Sequence, residues 1–170
     1  MSQKLQAGAE MPRFALPAVA GGEIQVGGGG RWQLVVVYRG QHCPKCKAYL
    51  GQLEALKADF ARVDTEITIL SCDPQEKAVA TAEDWQLSLP IGYGLSIDQA
   101  RDLGLYISEP RSAQETDRPF AEPGLFLVNP EGKVQIVDIS NAPFARPDLT
   151  QIAGAIGFIQ DKGYPIRGTG

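Results

Sequence analysis

The segment RGQHCPKCKAYL, residues 39–50, sets Cys43 and Cys46 three positions apart, with Pro44 between them and His42, the chain's one histidine, directly in front. Such a pair can supply half of a zinc site, a dithiol that exchanges electrons with disulfides, or a peroxide-reducing thiol with its resolving partner; it can also be an inert buried turn. A thiol reacts as its thiolate, so its surroundings decide. A cysteine at a helix N-terminus faces unpaired backbone N–H groups that favour the anion. Pro44 suits the first helical turn because its missing N–H costs nothing there. Cys46, one turn further in, is then placed to attack a mixed disulfide formed on Cys43. Arg39 and His42 lie close in sequence to the thiol, and a cation beside Cys43 lowers its pKa further.

Zinc needs four ligands, and the soft candidates are only Cys43, Cys46, Cys72 and His42, with no second CxxC and no HxxxH, so no metal is expected. Cys72 closes the second predicted strand. Strand ends in such sheets gather near the functional edge, which makes it a candidate third thiol beside the plain reading of a small buried apolar residue.

The elements that must position these groups follow from periodicity. QLVVVYR at 33–39 is a Val-rich apolar run of strand length and suits a central strand covered on both faces. From Pro44, the apolar residues Leu50, Leu53, Leu56, Phe60 and Val63 recur every three or four positions and predict one long helix. EITILS at 66–71 predicts a second strand, and Ala78, Val79, Ala82 and Trp85 mark the inner face of a helix beginning after Asp73-Pro74. IDQARDLG at 97–104 predicts a short helix closed by Gly104, followed from Ser108 to Ala121 by a polar stretch that reads as an exposed insertion or lid. LFLV at 125–128, the turn NPEG and VQIVDI at 134–139 predict a hairpin, and Leu149, Ile152, Ala153, Ile156 and Ile159 a final amphipathic helix. The glycine run 27–30 reads as a flexible turn ahead of the central strand. The fold class is α/β, a small mixed sheet flanked by helices, in a single domain over 1–170.

Composition narrows the function classes. With 44% apolar residues in 170 the chain can bury a real core. The net charge is -4 and the 16 Lys and Arg are scattered singly, so nucleic acid is not an expected partner. The start MSQKLQAGAEMPRF lacks the apolar stretch of a secretory signal, and LVVVY at 34–38 is far too short to span a bilayer. A soluble, cytoplasmic protein with no membrane partner is expected. Three cysteines do not make a disulfide-stapled secreted scaffold, and a CxxC in a reducing compartment points to redox chemistry or metal.

Strand-led YRGQHCPKC, then ILSCDP, then EPGLFLVNPEGKV resemble the thioredoxin-fold superfamily. The likeness is to its redoxin branch, related to alkyl hydroperoxide reductase and thiol-specific antioxidant proteins (AhpC/TSA), over about Gly8 to Ile159. GAEMPRFALPA is similar to that family's opening G-x-x-x-P-x-F-x-L-P. Arg146-Pro147 matches a peroxiredoxin-like subgroup that carries an aromatic-Arg-Gly before a CPxC. The resemblance implies a thioredoxin-like fold with an N-terminal extension and an inserted loop at about 108–121. It implies Cys43 as attacking thiol, Cys46 as resolving thiol, and Pro123 as a cis-proline that leaves the Glu122 backbone free to pair with an incoming peptide. It further implies an oxidoreductase with no cofactor beyond a redox-active Cys43–Cys46 disulfide. The implied substrate is a protein or small-molecule disulfide or a hydroperoxide, the implied reductant a cellular dithiol, and a homodimer is compatible with it.

Departures from the family pattern bear on mechanism. Peroxidase-type members keep a proline and, three residues before the thiol, a Thr or Ser hydroxyl; Val36 and Gly40 stand there. Those members also place an arginine just ahead of the strand that begins here at Leu125, where this chain has Pro123 and Gly124, leaving Arg39 or Arg146 as substitute anion or substrate contacts. The buried acid that thioredoxins carry six positions before the first cysteine is Val37, and the aromatic residue directly before it is His42. Glu122 is then the available carboxylate to take a proton from Cys46. Three functions compete: a thiol–disulfide oxidoreductase, a thiol peroxidase working through a Cys43 sulfenic acid, and a non-enzymatic redox-sensing module whose 108–121 segment binds a partner.

Overall fold

The computed structural model describes residues 3–170. The chain opens with a hairpin of β1 (Phe14–Pro17) and β2 (Glu23–Val26) and passes through Gly27–Gly30 into β3 (Trp32–Val37). Helices α1 (Pro44–Ala55) and α2 (Lys57–Arg62) lead to β4 (Thr65–Leu70), α3 (Gln75–Asp84), β5 (Ile91–Gly92) and α4 (Ile97–Asp102). A short ladder of β6 (Ile107–Ser108) and β7 (Phe120–Ala121) precedes the hairpin of β8 (Gly124–Val128) and β9 (Val134–Ile139), and α5 (Leu149–Lys162) follows.

The main sheet has the order β5-β4-β3-β8-β9, with β3, β4 and β5 parallel and β8 and β9 antiparallel to their neighbours. The mixed sheet flanked by helices is the predicted class. The Val-rich run occupies the centre because both its faces are buried. Leu34, Val36 and Tyr38 pack with Leu50, Leu53, Phe60 and Ile156 on one side; Val35 and Val37 pack with Phe120, Phe126 and Leu103 on the other. This two-residue alternation within an unbroken apolar run is what a central strand requires. Val37 lies opposite Leu70 of β4 and Gly124 of β8. The chain leaving β3, the chain leaving β4 and the chain entering β8 therefore meet at one edge of the sheet.

The long helix expected from Pro44 to Val63 is two helices. The backbone turns at Leu56 (φ -98°, ψ 5°), whose N–H reaches both Gln52 O at 3.2 Å and Leu53 O at 3.0 Å, so the last turn tightens and α1 ends with no proline or glycine to mark it. The Glu54 side chain leaves the helix to accept from the backbone N–H groups of Ser88 and Leu89. Helix α4 begins with a capping box, Ser96 accepting from the Gln99 N–H and Gln99 answering to the Ser96 N–H. Gly104, expected to close it, has φ +75°, and a Cβ there would stand 2.6 Å from Leu5 N.

The 108–121 stretch is less free than expected. Its two ends pair as β6 and β7, Thr116 is buried, and Lys77 on α3 donates to Thr116 Oγ1 at 3.2 Å and Asp117 Oδ1 at 2.8 Å. Exposure is confined mainly to 109–114. Among the described residues no helix is long and apolar enough to cross a membrane.

Candidate redox site

Cys43 is the N-cap of α1, in extended conformation (φ -106°, ψ 105°), and its Sγ accepts from the Cys46 N–H at 3.3 Å; Pro44 takes the first helical position. The cap uses sulfur where a hydroxyl or carboxylate is usual, so the Cys46 N–H in the first turn is directed at the thiol. Cys46 is fully buried one turn in, and its Sγ accepts from Arg39 N at 3.4 Å and Arg146 Nη2 at 3.0 Å. Both thiols are free, and Cys43 itself is only 1% exposed.

The two sulfurs titrate far apart. The hydrogen bond from Cys46, the Arg39 side chain, the Cys46 N–H and the Arg39 charge together outweigh burial and bring the Cys43 thiol down to about 5. Burial, with the bond given to Cys43, pushes Cys46 well above the ordinary thiol range. At neutral pH the resting pair is thus a Cys43 thiolate beside a Cys46 thiol.

Arg39 is held in place from across the molecule. Its Nε donates to Glu122 Oε1 at 2.8 Å, Ser108 Oγ donates to Glu122 Oε2 at 2.7 Å, and the guanidinium lies 4.9 Å from the Phe120 ring centre. His42 meets the same Phe120 edge-on at 4.7 Å, half-buried; burial first, then the Arg39 charge, holds its pKa below the usual value. Of the two cations expected beside Cys43, Arg39 is therefore the charged one and His42 is neutral at pH 7.

Two expectations at β7 and β8 are corrected. There is no cis peptide bond among the described residues, so Pro123 is trans. Between β7 and β8 the Glu122 N–H is donated to Tyr106 O at 2.8 Å and Pro123 O accepts from Ser140 N at 3.0 Å. The Glu122 N–H is accordingly not free for an added strand. Its carboxylate, with one oxygen on Arg39 and the other on Ser108, makes no hydrogen bond to Cys46 and is not placed as that thiol's base.

A buried acid does stand at the site, at Asp73, which sequence reasoning passed over. It follows β4, is 3% exposed, and accepts from the Gln41 N–H through Oδ2 at 2.8 Å, tying the loop before Cys43 to the neighbouring strand end. Burial raises its pKa. Gly40 makes room for it: with φ +145°, a Cβ at Gly40 would stand 2.9 Å from Asp73 Oδ1 and 3.0 Å from His42 Nδ1. The strand-end position of CDP was the available signal, since β4 runs parallel to β3 and ends beside it.

Cys72 is 8% exposed and belongs to the core on the side of the sheet away from Cys43 and Cys46, with Phe120 and Ala121; burial lifts its thiol to about 11. Arg146, from the segment before α5, lies 5.1 Å over the Tyr49 ring and reaches Cys46 more closely than Cys43, 4.0 Å away. A groove of about 650 Å³ runs past it between α1 and residues 143–150, with Lys45, Tyr49, Gln52 and Phe144 on its walls. Val36 is a paired residue of β3, facing Ile69 and Leu125. At Gly124 a Cβ would meet Leu105 Cδ2 at 2.4 Å and the Phe126 ring at 3.1 Å, so a side chain there requires Leu105 to move. No group of three or more His, Cys, Asp or Glu able to hold a metal ion occurs among the described residues.

The model of the AhpC/TSA family matches residues 7–137. No curated protein matches the chain by sequence. Among solved structures it is similar to a cysteine-to-serine mutant of peroxiredoxin 6 from Arenicola marina (TM-score 0.79, 19% identity, 94% of this chain and 75% of that one). It is likewise similar to a peroxiredoxin-like protein from Aquifex aeolicus (0.77, 16%, 92% and 89%) and to the reduced 2-Cys peroxiredoxin of Plasmodium vivax (0.77, 18%, 95% and 88%). At these identities the likeness establishes the thioredoxin-type fold.

Proposed function

The chain belongs to the AhpC/TSA family, and from that premise we propose that it is a thiol–disulfide oxidoreductase whose working group is the Cys43–Cys46 pair, with no other cofactor. The Cys43 thiolate attacks one sulfur of a substrate disulfide; the other sulfur leaves with the electron pair and is protonated by solvent. Cys46 then attacks Cys43 in the mixed disulfide, releases the second substrate thiol and leaves a Cys43–Cys46 disulfide for a cellular dithiol to reduce. The observation that carries this reading is the asymmetry of the pair, a thiolate capping α1 beside a fully buried protonated thiol one turn away. Arg39, set by Glu122, supplies the charge for the first, and Pro44 stiffens the link between them.

Family membership favours a second reading, a thiol peroxidase in which Cys43 attacks a peroxide, becomes a sulfenic acid and condenses with Cys46 to the same disulfide with loss of water. Gly40 and Gly124 stand against it, since neither offers the hydroxyl or the guanidinium that polarises the peroxide. Dithiothreitol-driven reduction of insulin, with stopped-flow oxidation by hydrogen peroxide alongside, separates the two. The oxidoreductase reading expects insulin reduction that disappears in Cys43→Ser and peroxide oxidation no faster than free cysteine at equal thiolate fraction. Insulin reduction unchanged in Cys43→Ser contradicts it.

A further inference from the structure

Resolution sets a difficulty that the resting pair does not solve. Cys46 must ionise to attack Cys43, yet burial and its bond to Cys43 keep it protonated in the resting state. No carboxylate among the described residues hydrogen-bonds it. What Cys46 Sγ receives is two N–H donors, Arg39 N at 3.4 Å and Arg146 Nη2 at 3.0 Å. Donors of this kind favour the anion, and a charged one does so most.

Arg146 is held for that contact. Its guanidinium lies over Tyr49, whose hydroxyl donates to the carbonyl of the next residue, Pro147, at 2.6 Å. Its Nε is buried without a hydrogen-bond partner, and no carboxylate forms a salt bridge with it among the described residues. Cys43 lies a full ångström further from Nη2 than Cys46 does, at 4.0 Å against 3.0 Å. A half-buried guanidinium with no carboxylate partner, one of its N–H groups 3.0 Å from a thiol sulfur, is better satisfied when that thiol becomes its counter-ion.

Building on the dithiol reading above, we infer that Arg146 is a catalytic residue of the resolving step, holding Cys46 as a thiolate once Cys43 is tied up in a mixed disulfide. When Cys43 bonds to the substrate sulfur it loses its negative charge, and the bond and repulsion that joined burial in keeping Cys46 protonated go with it, leaving Arg146 to favour the anion. Cys46 gives its proton to solvent and attacks Cys43 Sγ. The bond between Cys43 and the substrate breaks, the Cys43–Cys46 bond forms, and the electron pair leaves on the substrate sulfur, which takes up a proton. Two cysteines are oxidised and one disulfide is reduced. The titratable and charged groups facing Cys46 are Cys43, Tyr38 and Arg39 at the end of β3, and Arg146, with Tyr49 of α1 against the latter.

Reduced protein mixed with the uncharged disulfide dithiodipyridine releases one thiopyridone when Cys43 attacks and a second when Cys46 resolves. In Arg146→Met and Arg146→Gln the second release slows about tenfold at pH 7, as a rise of one pKa unit in the resolving thiol requires, and its pH profile moves up accordingly. The first release changes far less, and Arg146→Lys recovers much of the second. Equal slowing of both releases, or a second release with the parent's rate and pH profile in both the Met and the Gln variant, overturns the inference. A parent that releases one equivalent only overturns the dithiol reading itself and this inference with it.

Discussion

Arg39 and Glu122 stand 83 positions apart in the chain and meet at 2.8 Å, with side chains only 15% and 3% exposed. The pair fastens the loop that carries the thiols to the strand entering the sheet. Removing one partner of a buried pair strands the other's charge, so Arg39→Met is expected to cost about 3–5 kcal/mol. Glu122→Gln keeps an acceptor for Arg39 and is expected to cost less, about 1–3 kcal/mol. Urea denaturation of both single variants and the double variant measures the coupling; strictly additive losses would show that the contact does not matter.

Cys43 ionises near 5 because Cys46 and Arg39 favour its anion. Alkylation by iodoacetamide, followed against pH, is expected to have its midpoint there, against about 8.5 for a free cysteine. Arg39→Met moves the midpoint up, since the Arg39 side chain and its charge both favour the anion. Since the folded value lies below the unfolded one, the stabilisation from this thiolate is complete above about 8.5 and is lost as pH falls through the folded value. The stability advantage of the reduced parent over Cys43→Ser should therefore grow between those limits.

Gly40 occupies the place of a family hydroxyl, and restoring it should harm the protein. A Cβ there meets Asp73 Oδ1 at 2.9 Å on a backbone with φ +145°, which predicts a loss of about 1–3 kcal/mol for Gly40→Thr. A Gly40→Thr protein with the parent's melting temperature and new peroxidase activity would contradict both this geometry and the preference for disulfide chemistry.

Lys77 pins the 108–121 segment to α3 through Thr116 and Asp117. Lys77→Met is expected to speed amide exchange over residues 109–119 while changing global stability by at most about 1 kcal/mol, as for a partly exposed pair. Unchanged exchange in that segment would show that β6 and β7 alone hold it.

The parts of the site written contiguously could be read from sequence. Strand, loop and helix start around CPKC follow from the apolar run and Pro44, because central burial and capping are local demands. The parts that depend on which strands lie side by side could not. Asp73 reaches the loop only because β4 pairs in parallel with β3, and Arg39 finds Glu122 only because β8 enters beside the exit of β3. The break at Leu56 carries no breaker residue. The family resemblance implies a cis-proline at Pro123, whereas its bond is trans, with the Glu122 N–H on Tyr106 O and the Pro123 carbonyl on the Ser140 N–H.

In the proposed exchange Cys43 attacks and Cys46 resolves. Intact mass and thiol count after one equivalent of oxidised glutathione test it most directly, in the parent, Cys43→Ser and Cys46→Ser. The expected result is a parent that loses two hydrogens and keeps no adduct, a Cys46→Ser protein that retains one glutathione on Cys43, and a Cys43→Ser protein that does not react. A stable adduct on Cys46 in Cys43→Ser, with Cys46→Ser inert, would contradict it.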